Sequence, residues 1–261
     1  MGQHTAQKHV YSRYLRRYST ALLMFAAILM FLEWGVPTLG IPAFVLPAPS
    51  RVLVRMLDPE NDLLFHFGIT ALEGISGFIV GSLAGFLLAV TFVHVRAIED
   101  ALYPWAIVLQ TVPLVAIAPL LVIWFGNGIL ARIVMSALFT FFPVLVNTTR
   151  GLRQVDRATM DLLQSYAITR WQLFWMLRLP NCLPFLFTGL KIGSTLAIIG
   201  AIVAQFAGAG QGLGFVITIS TYFLQTDRAF AAITAAALLG MSMYWLIIGL
   251  ERWLIFWEEL A

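Results

Sequence analysis

The sequence predicts an all-α polytopic membrane protein of six transmembrane helices, forming one transmembrane domain over residues 1–261. Three observations lead there. Of the 261 residues, 60% are hydrophobic and only 11% are charged, and the mean hydropathy is +0.87. A soluble domain is about a quarter charged, so a surface this poor in charge is not built to face water. The apolar residues also gather in runs near the roughly 20 residues that cross a hydrocarbon core. Finally, Cys182 is the only cysteine, which excludes a disulfide framework or a cysteine metal cluster.

Taken in order, the spans fall at about residues 20–40, 70–93, 101–124, 130–149, 185–206 and 229–250. The first follows a basic leader, 1–19, with Lys8, Arg13, Arg16 and Arg17. Its apolar run continues into Glu33-Trp34-Gly35 without a small-x-small cleavage site, so it reads as a retained anchor. The second span contains "EGISGFIVGSLAGFLLAV", where Gly77, Gly81 and Gly85 recur every four residues and Gly74 precedes them by three. Small residues at this spacing let helices approach closely in lipid, first within one subunit and second at a subunit interface. Glu33 and Glu73 lie near the outer ends of their spans, where solvated or hydrogen-bonded structural roles are expected. Lys191, one turn into the fifth span, is expected to snorkel to the interface.

The Lys and Arg count sets the orientation. With the N-terminus in the cytoplasm, the inner segments hold Lys8, Arg13, Arg16, Arg17, Arg96, Arg150, Arg153, Arg157, Arg170, Arg178, Lys191 and Arg252. Outside or at the boundary are Arg51, Arg55, Arg132 and Arg228, so the split of the 16 basic residues is 12 to 4. Both termini are therefore expected in the cytoplasm, and the segment 150–184 with them. The Gly-rich loop 207–228 falls outside.

The inner segment is too polar to span lipid. Ala158 to Tyr166 reads as a short helix, with Met160, Leu163 and Ala167 near one face. Thr169-Arg170-Trp171-Gln172 is T-x-x-Q, a capping box that starts a second helix. Pro180 and Pro184 lack the N–H of a helix interior, so that helix is expected to end or kink there. Trp171, Phe174, Trp175 and Leu179 are expected to pack against the spans while Arg170 and Gln172 look outward. On pattern alone this is an interfacial amphipathic hairpin.

The stretch "SYAITRWQLFWMLRLPNCLP" resembles the EAA loop in permease subunits of bacterial ABC importers. Counting back from Leu179-Pro180, the family's acidic position falls on Asp161, its two alanines on Leu162 and Leu163, and its glycine on Ala167. The likeness covers almost the whole chain. "LPAPSRV", "ALYPWAIVLQTVPLVAIAPLLVIWFGNGILARI", "FFPVLVNTTRGLRQVD" and "GAGQGLGFVI" are similar to the nitrate, sulfonate and taurine permeases, and to those for thiamine precursors and riboflavin. Gln205 stands where that branch often has Glu, and Glu73 where many relatives carry Arg.

The resemblance implies half of a type I importer in the bacterial inner membrane. Two permease copies form the pathway, two ATPase subunits sit underneath, and an external binding protein delivers a small anion or a vitamin precursor. It also implies that Asp161, Gln164, Ser165, Tyr166, Ala167, Ile168, Thr169 and Arg170 couple to the ATPase, with the coupling helix at about Gln164 to Arg170. No G-x-x-x-x-G-K-[ST] motif occurs, so ATP is expected on another chain and no cofactor on this one.

Other candidates come from the residues. Gln110, Thr111, Asn147, Ser194 and Gln205 are polar and inside spans; they either tie helices together or line the pathway, and at least two are expected at a central cavity. Gly208, Gly210, Gly212 and Gly214 form either a half-membrane hairpin or a contact for the binding protein. The scattered His4, His9, His66 and His94 show no metal spacing, and the basic residues cluster at helix ends rather than in a nucleic-acid patch. A stand-alone transporter would need midplane coupling groups or an internal repeat. An intramembrane enzyme would need a nucleophile–base pair or paired carboxylates. The sequence supplies neither set.

Overall fold

The structure is a computed structural model in which residue 20, residues 22–166 and residues 168–255 are described. Among the described residues the longer helices are, in chain order, α1 (Leu22–Thr38), α2 (Pro49–Leu57), α3 (Leu63–His94), α4 (Arg96–Thr111), α5 (Leu114–Phe125), α6 (Ile129–Arg153), α7 (Arg157–Ser165), α8 (Arg170–Phe206), α9 (Leu213–Tyr222) and α10 (Thr226–Leu254). The basic leader lies outside the described residues. The chain forms two compact units, one of Met1–Asn61 with Ile219–Ala231 and one of Asp62–Thr218 with Ala232–Ala261.

In the first unit, α1 carries a π-turn at Phe31–Gly35. The Glu33 carboxylate there accepts from the Ser50 N–H at 3.0 Å and the Ser50 hydroxyl at 2.6 Å, so its role is the hydrogen-bonded one. Arg55 donates to Asp227 at 2.8 Å and to Asp58 at 3.2 Å. The Asp227 hydrogen bond, foremost, holds the Arg55 pKa above its ordinary value. These groups are part-exposed, which limits each ion pair to at most about 1 kcal/mol.

The second unit is built around α6. Glycines from two neighbours press against it. A Cβ on Gly85 of α3 would lie 2.8 Å from the Phe141 carbonyl oxygen and 3.1 Å from the Leu145 nitrogen. A Cβ on Gly189 of α8 would lie 3.0 Å from the Pro143 carbonyl oxygen, and one on Gly200 2.9 Å from the Ser136 Cα. The glycine repeat of the second span thus serves packing within one subunit, and α8 adds a second glycine-bearing face that the repeat does not show. Polar side chains lock the contact: Ser136 donates to the Gly74 carbonyl at 3.2 Å, and Thr140 to that of Gly193 at 3.3 Å. Met135, Val144 and Leu145 of α6 are fully buried. Ile247 of α10 packs with Phe187 of α8 at one level, and Leu239 and Met243 with Ile198 at another.

Among the described residues four helices, α3, α6, α8 and α10, are long and apolar enough to cross a membrane. The remaining two expected spans differ in form. The third is a helix pair, α4 and α5, bent by 101°. Val112 is extended, as a residue before proline prefers, and Pro113 follows without an N–H to continue the helix. The first, α1, is shorter than the four. The expectation that the helix after Thr169 stops or kinks at Pro180 or Pro184 is corrected. A π-turn at Phe174–Arg178 precedes Pro180, which then falls in the first turn of the following α-segment, and the helix runs on through Pro184. Its 37 residues measure about 55 Å end to end.

Gly85→Ala is expected to lower stability by about 1–3 kcal/mol, since both opposing atoms are backbone and cannot swing aside. Gly240→Ala on α10, where nothing lies within 4 Å of a Cβ, is expected to be neutral or mildly stabilising. Denaturant titration in detergent micelles checks both.

Candidate functional site

The segment between α6 and α8 starts and ends on the core. Near its start, Asp156 caps α7, accepting from the Thr159 N–H at 3.0 Å and the Thr159 hydroxyl at 2.9 Å. At its far end Asn181 donates to the Gln154 carbonyl at 2.6 Å, tying the two roots together. Between them α7 projects with Asp161 exposed, Leu162 57% exposed and Tyr166 73% exposed. Ser165 is exposed and turns its hydroxyl onto the Leu162 carbonyl. Ile168 is half-buried. Ala167 and the Gln164 side chain lie outside the described residues.

The capping box read from the sequence is present. The Thr169 hydroxyl accepts from the Gln172 N–H at 3.2 Å, and the Gln172 side chain accepts from the Thr169 N–H at 2.8 Å. Thr169 and Arg170 are exposed at this start of α8. Phe174 is buried in a cluster with Phe92, Leu145, Leu152 and Cys182, and Leu179 packs against it. Trp171 and Trp175 differ from expectation. They are 59% and 53% exposed, with Trp171 stacked on Phe174 at 5.7 Å and His94 beside both rings. The elbow is therefore anchored by Phe174, while its tryptophans face outward.

At the opposite end of α8 the chain builds a buried polar clasp. Glu73 is fully buried rather than solvated: it accepts from Arg132 at 2.6 Å and from the Gln205 amide at 2.7 Å. Gln205 and Thr70, also buried, face the start of α9. Its first N–H groups are taken one by one: Gly212 by His66 Nδ1 at 3.1 Å, Leu213 by the Thr70 hydroxyl at 2.8 Å, and Gly214 by Gln205 Oε1 at 2.7 Å. A helix start buried away from water needs such partners, because its first N–H groups have none within the helix. Because Nδ1 accepts, His66 is the Nε2–H tautomer. Gly212 has φ +101°, and a Cβ there would strike the Gln205 amide, so only glycine suits.

The glycine loop thus divides. Gly212 and Gly214 are buried in the clasp, whereas Gly208 and Gly210 are exposed, with Asn127 donating to the Gly208 carbonyl at 2.6 Å. The five polar span residues divide too. Ser194 and Gln205 are buried among the helices of this chain, Ser194 bonding to the Lys191 carbonyl. Asn147 is half-buried and donates to the Pro143 carbonyl, while Gln110 and Thr111 are exposed beside the α4–α5 bend. Lys191 pairs with Glu251 of α10 at 2.9 Å to both oxygens. Sequence reading missed this pair, the Glu73–Arg132 pair and the roles of His66 and Thr70. Each joins residues far apart in sequence, and only an acid or base left unexplained inside a span hinted at them.

Removing one partner of a buried ion pair strands the other charge. Glu73→Leu is expected to cost about 3–5 kcal/mol, and Glu73→Leu with Arg132→Leu to recover part of that loss. Unfolding in micelles reads the difference.

Comparison with known proteins gives the family. Residues 77–256 match the family described as binding-protein-dependent transport system inner membrane component. The chain is 35% identical over 233 residues to the riboflavin transport system permease protein RibX of Chloroflexus aurantiacus, covering 88% of this chain and 87% of that one. It is 34% identical over 238 residues to the formylaminopyrimidine transport permease protein ThiX of Halalkalibacterium halodurans, covering 91% and 95%. It is 29% identical over 253 residues to the taurine transport system permease protein TauC of Escherichia coli, covering 94% and 92%. The chain belongs to the binding-protein-dependent transport inner membrane family, as a non-catalytic membrane permease subunit of an ABC importer.

Proposed function

We propose that two copies of this chain line one solute pathway, with an ATPase subunit docked on each α7–α8 elbow and an external binding protein at the clasp end. The observation that carries this reading is the continuity of α8. One unbroken helix starts at the exposed Thr169–Arg170 cap and ends at Gln205, where the glycine loop is held. A push on Asp161, Tyr166, Ile168 or Arg170 moves the whole rod, and with it the outer end. That is a rigid-body switch of the kind that alternating access needs. The excess of Lys and Arg in the segments on the elbow side supports placing that side, and both termini, in the cytoplasm.

Within the pathway the exposed Gln110 and Thr111, together with Asn147, are the polar surface we assign to the solute. Ser194 and Gln205 take the other role, joining helices. Gly208 and Gly210 are the loop positions assigned to the binding protein. The assigned pathway groups are uncharged, which suits a neutral heterocycle better than a sulfonate. The riboflavin and formylaminopyrimidine permeases, at 35% and 34% identity, stand above the taurine permease at 29% and beside an aliphatic sulfonates permease at 33%, so the choice rests on the uncharged groups. The proposed solute is therefore a heterocyclic vitamin or vitamin precursor.

Ile168→Asp in the reconstituted importer is expected to cut ATPase stimulation by loaded binding protein about tenfold, with insertion intact. Unchanged stimulation contradicts the docking site. Melting shifts of the partner binding protein with riboflavin, formylaminopyrimidine and taurine test the solute class.

A further inference from the structure

A recess of about 340 Å³ lies at the root of the elbow, among the end of α3, the start of α4, the end of α6, α7 and the π-turn of α8. Phe92 and Leu152 form its buried apolar floor, and Arg96, Glu99, Arg153 and Arg178 stand on its wall. We propose that this recess binds a phosphate group, either the phosphodiester of an acidic lipid headgroup or free inorganic phosphate.

The charge count is the first argument. Three guanidinium groups face one carboxylate, and that carboxylate, on Glu99, is already paired with Arg153. Among the described residues, Arg96 and Arg178 have no carboxylate in ion-pair contact. Arg170 stands near enough to Arg178 to repel it, which sharpens the excess. Arg150 and Arg153 line a neighbouring recess, so the positive field extends sideways.

Hydrogen bonding is the second argument. The Nε of Arg178 is buried and has no hydrogen-bond partner among the described residues. A buried donor left unmade is costly, and an anion oxygen in the recess would satisfy it. The planar fork of Arg matches phosphate oxygens two at a time. Arg96 opens α4, whose first turn has no side-chain cap, so the helix dipole adds to the same attraction.

Position is the third argument. Trp171 and Trp175 are exposed beside the same root, and exposed tryptophans mark the headgroup level of a membrane protein. Basic recesses between membrane helices at that level take acidic headgroups. The inference does not depend on ATPase docking, since every group in it belongs to this chain.

The test uses the full permease chain in detergent, without ATPase. Native mass spectrometry with phosphatidylglycerol and phosphatidylcholine at equal concentration reads lipid retention. Wild type is expected to retain phosphatidylglycerol preferentially, and Arg96→Gln with Arg178→Gln to lose that preference about tenfold. In a lipid-depleted arm, sodium phosphate is compared with chloride at equal ionic strength. A phosphate-specific rise in melting temperature that the double variant loses, without a lipid preference, assigns the site to the free ion. The exposed Arg96→Gln alone, expected to give a smaller loss, keeps the test valid if the double variant misfolds. No preference for either anion, or a preference that survives both substitutions, overturns the proposal. In a separate arm with the ATPase present, loss of its co-purification by the double variant with both anion readouts flat also overturns the proposal, in favour of a seat for a partner's carboxylate.

Discussion

Everything in the second unit depends on how closely α6 can lie against α3 and α8. In lipid the hydrophobic effect does not press helices together, so contact rests on van der Waals packing at short range and on hydrogen bonds between helices. Glycine on both flanks of α6 lets backbone meet backbone, and Ser136 and Thr140 bond directly to the glycine-bearing neighbours. The result is a three-helix slab with little freedom to slide. Its stiffness gives the other features their meaning, because an elbow or a clasp transmits motion only through a body that does not deform.

The two ends of α8 are built differently. The elbow end is exposed, short in sequence and held by a local cap, with Leu173 and Phe174 as buried anchors. The clasp end is buried and non-local, drawing Glu73, Arg132, Thr70 and Gln205 from three helices onto the start of α9. One end is exposed; the other fixes a buried backbone segment whose first N–H groups would otherwise be open. In the proposed mechanism, joining them with one helix makes the glycine loop answer to what happens at the elbow.

Local patterns were legible in the sequence. Thr169 and Gln172 declare a cap at a spacing that has one geometric meaning, and the Gly77–Gly81–Gly85 period declares a packing face. Pro113 shows where reading by apolar run fails, since hydropathy treats 101–124 as one span while the backbone turns by 101°. Pro180 fails in the opposite sense: the π-turn before it places it in the first turn of the next α-segment, where its missing N–H does least harm. Glu73 has the hydrogen-bonded role expected of it, but its partners, Arg132 and Gln205, lie 59 and 132 residues away, and no spacing rule names them. The partner of Lys191, Glu251, stays out of reach of the sequence for the same reason.

The central claim is that the α7–α8 elbow is where the ATPase grips. Cysteine cross-linking in membranes measures this directly, because the native Cys182 is buried and does not compete. Tyr166→Cys is predicted to form an adduct of permease plus ATPase mass whose yield changes with bound nucleotide. An adduct absent at Tyr166→Cys but formed at Gly210→Cys, on the other end of α8, would contradict the account.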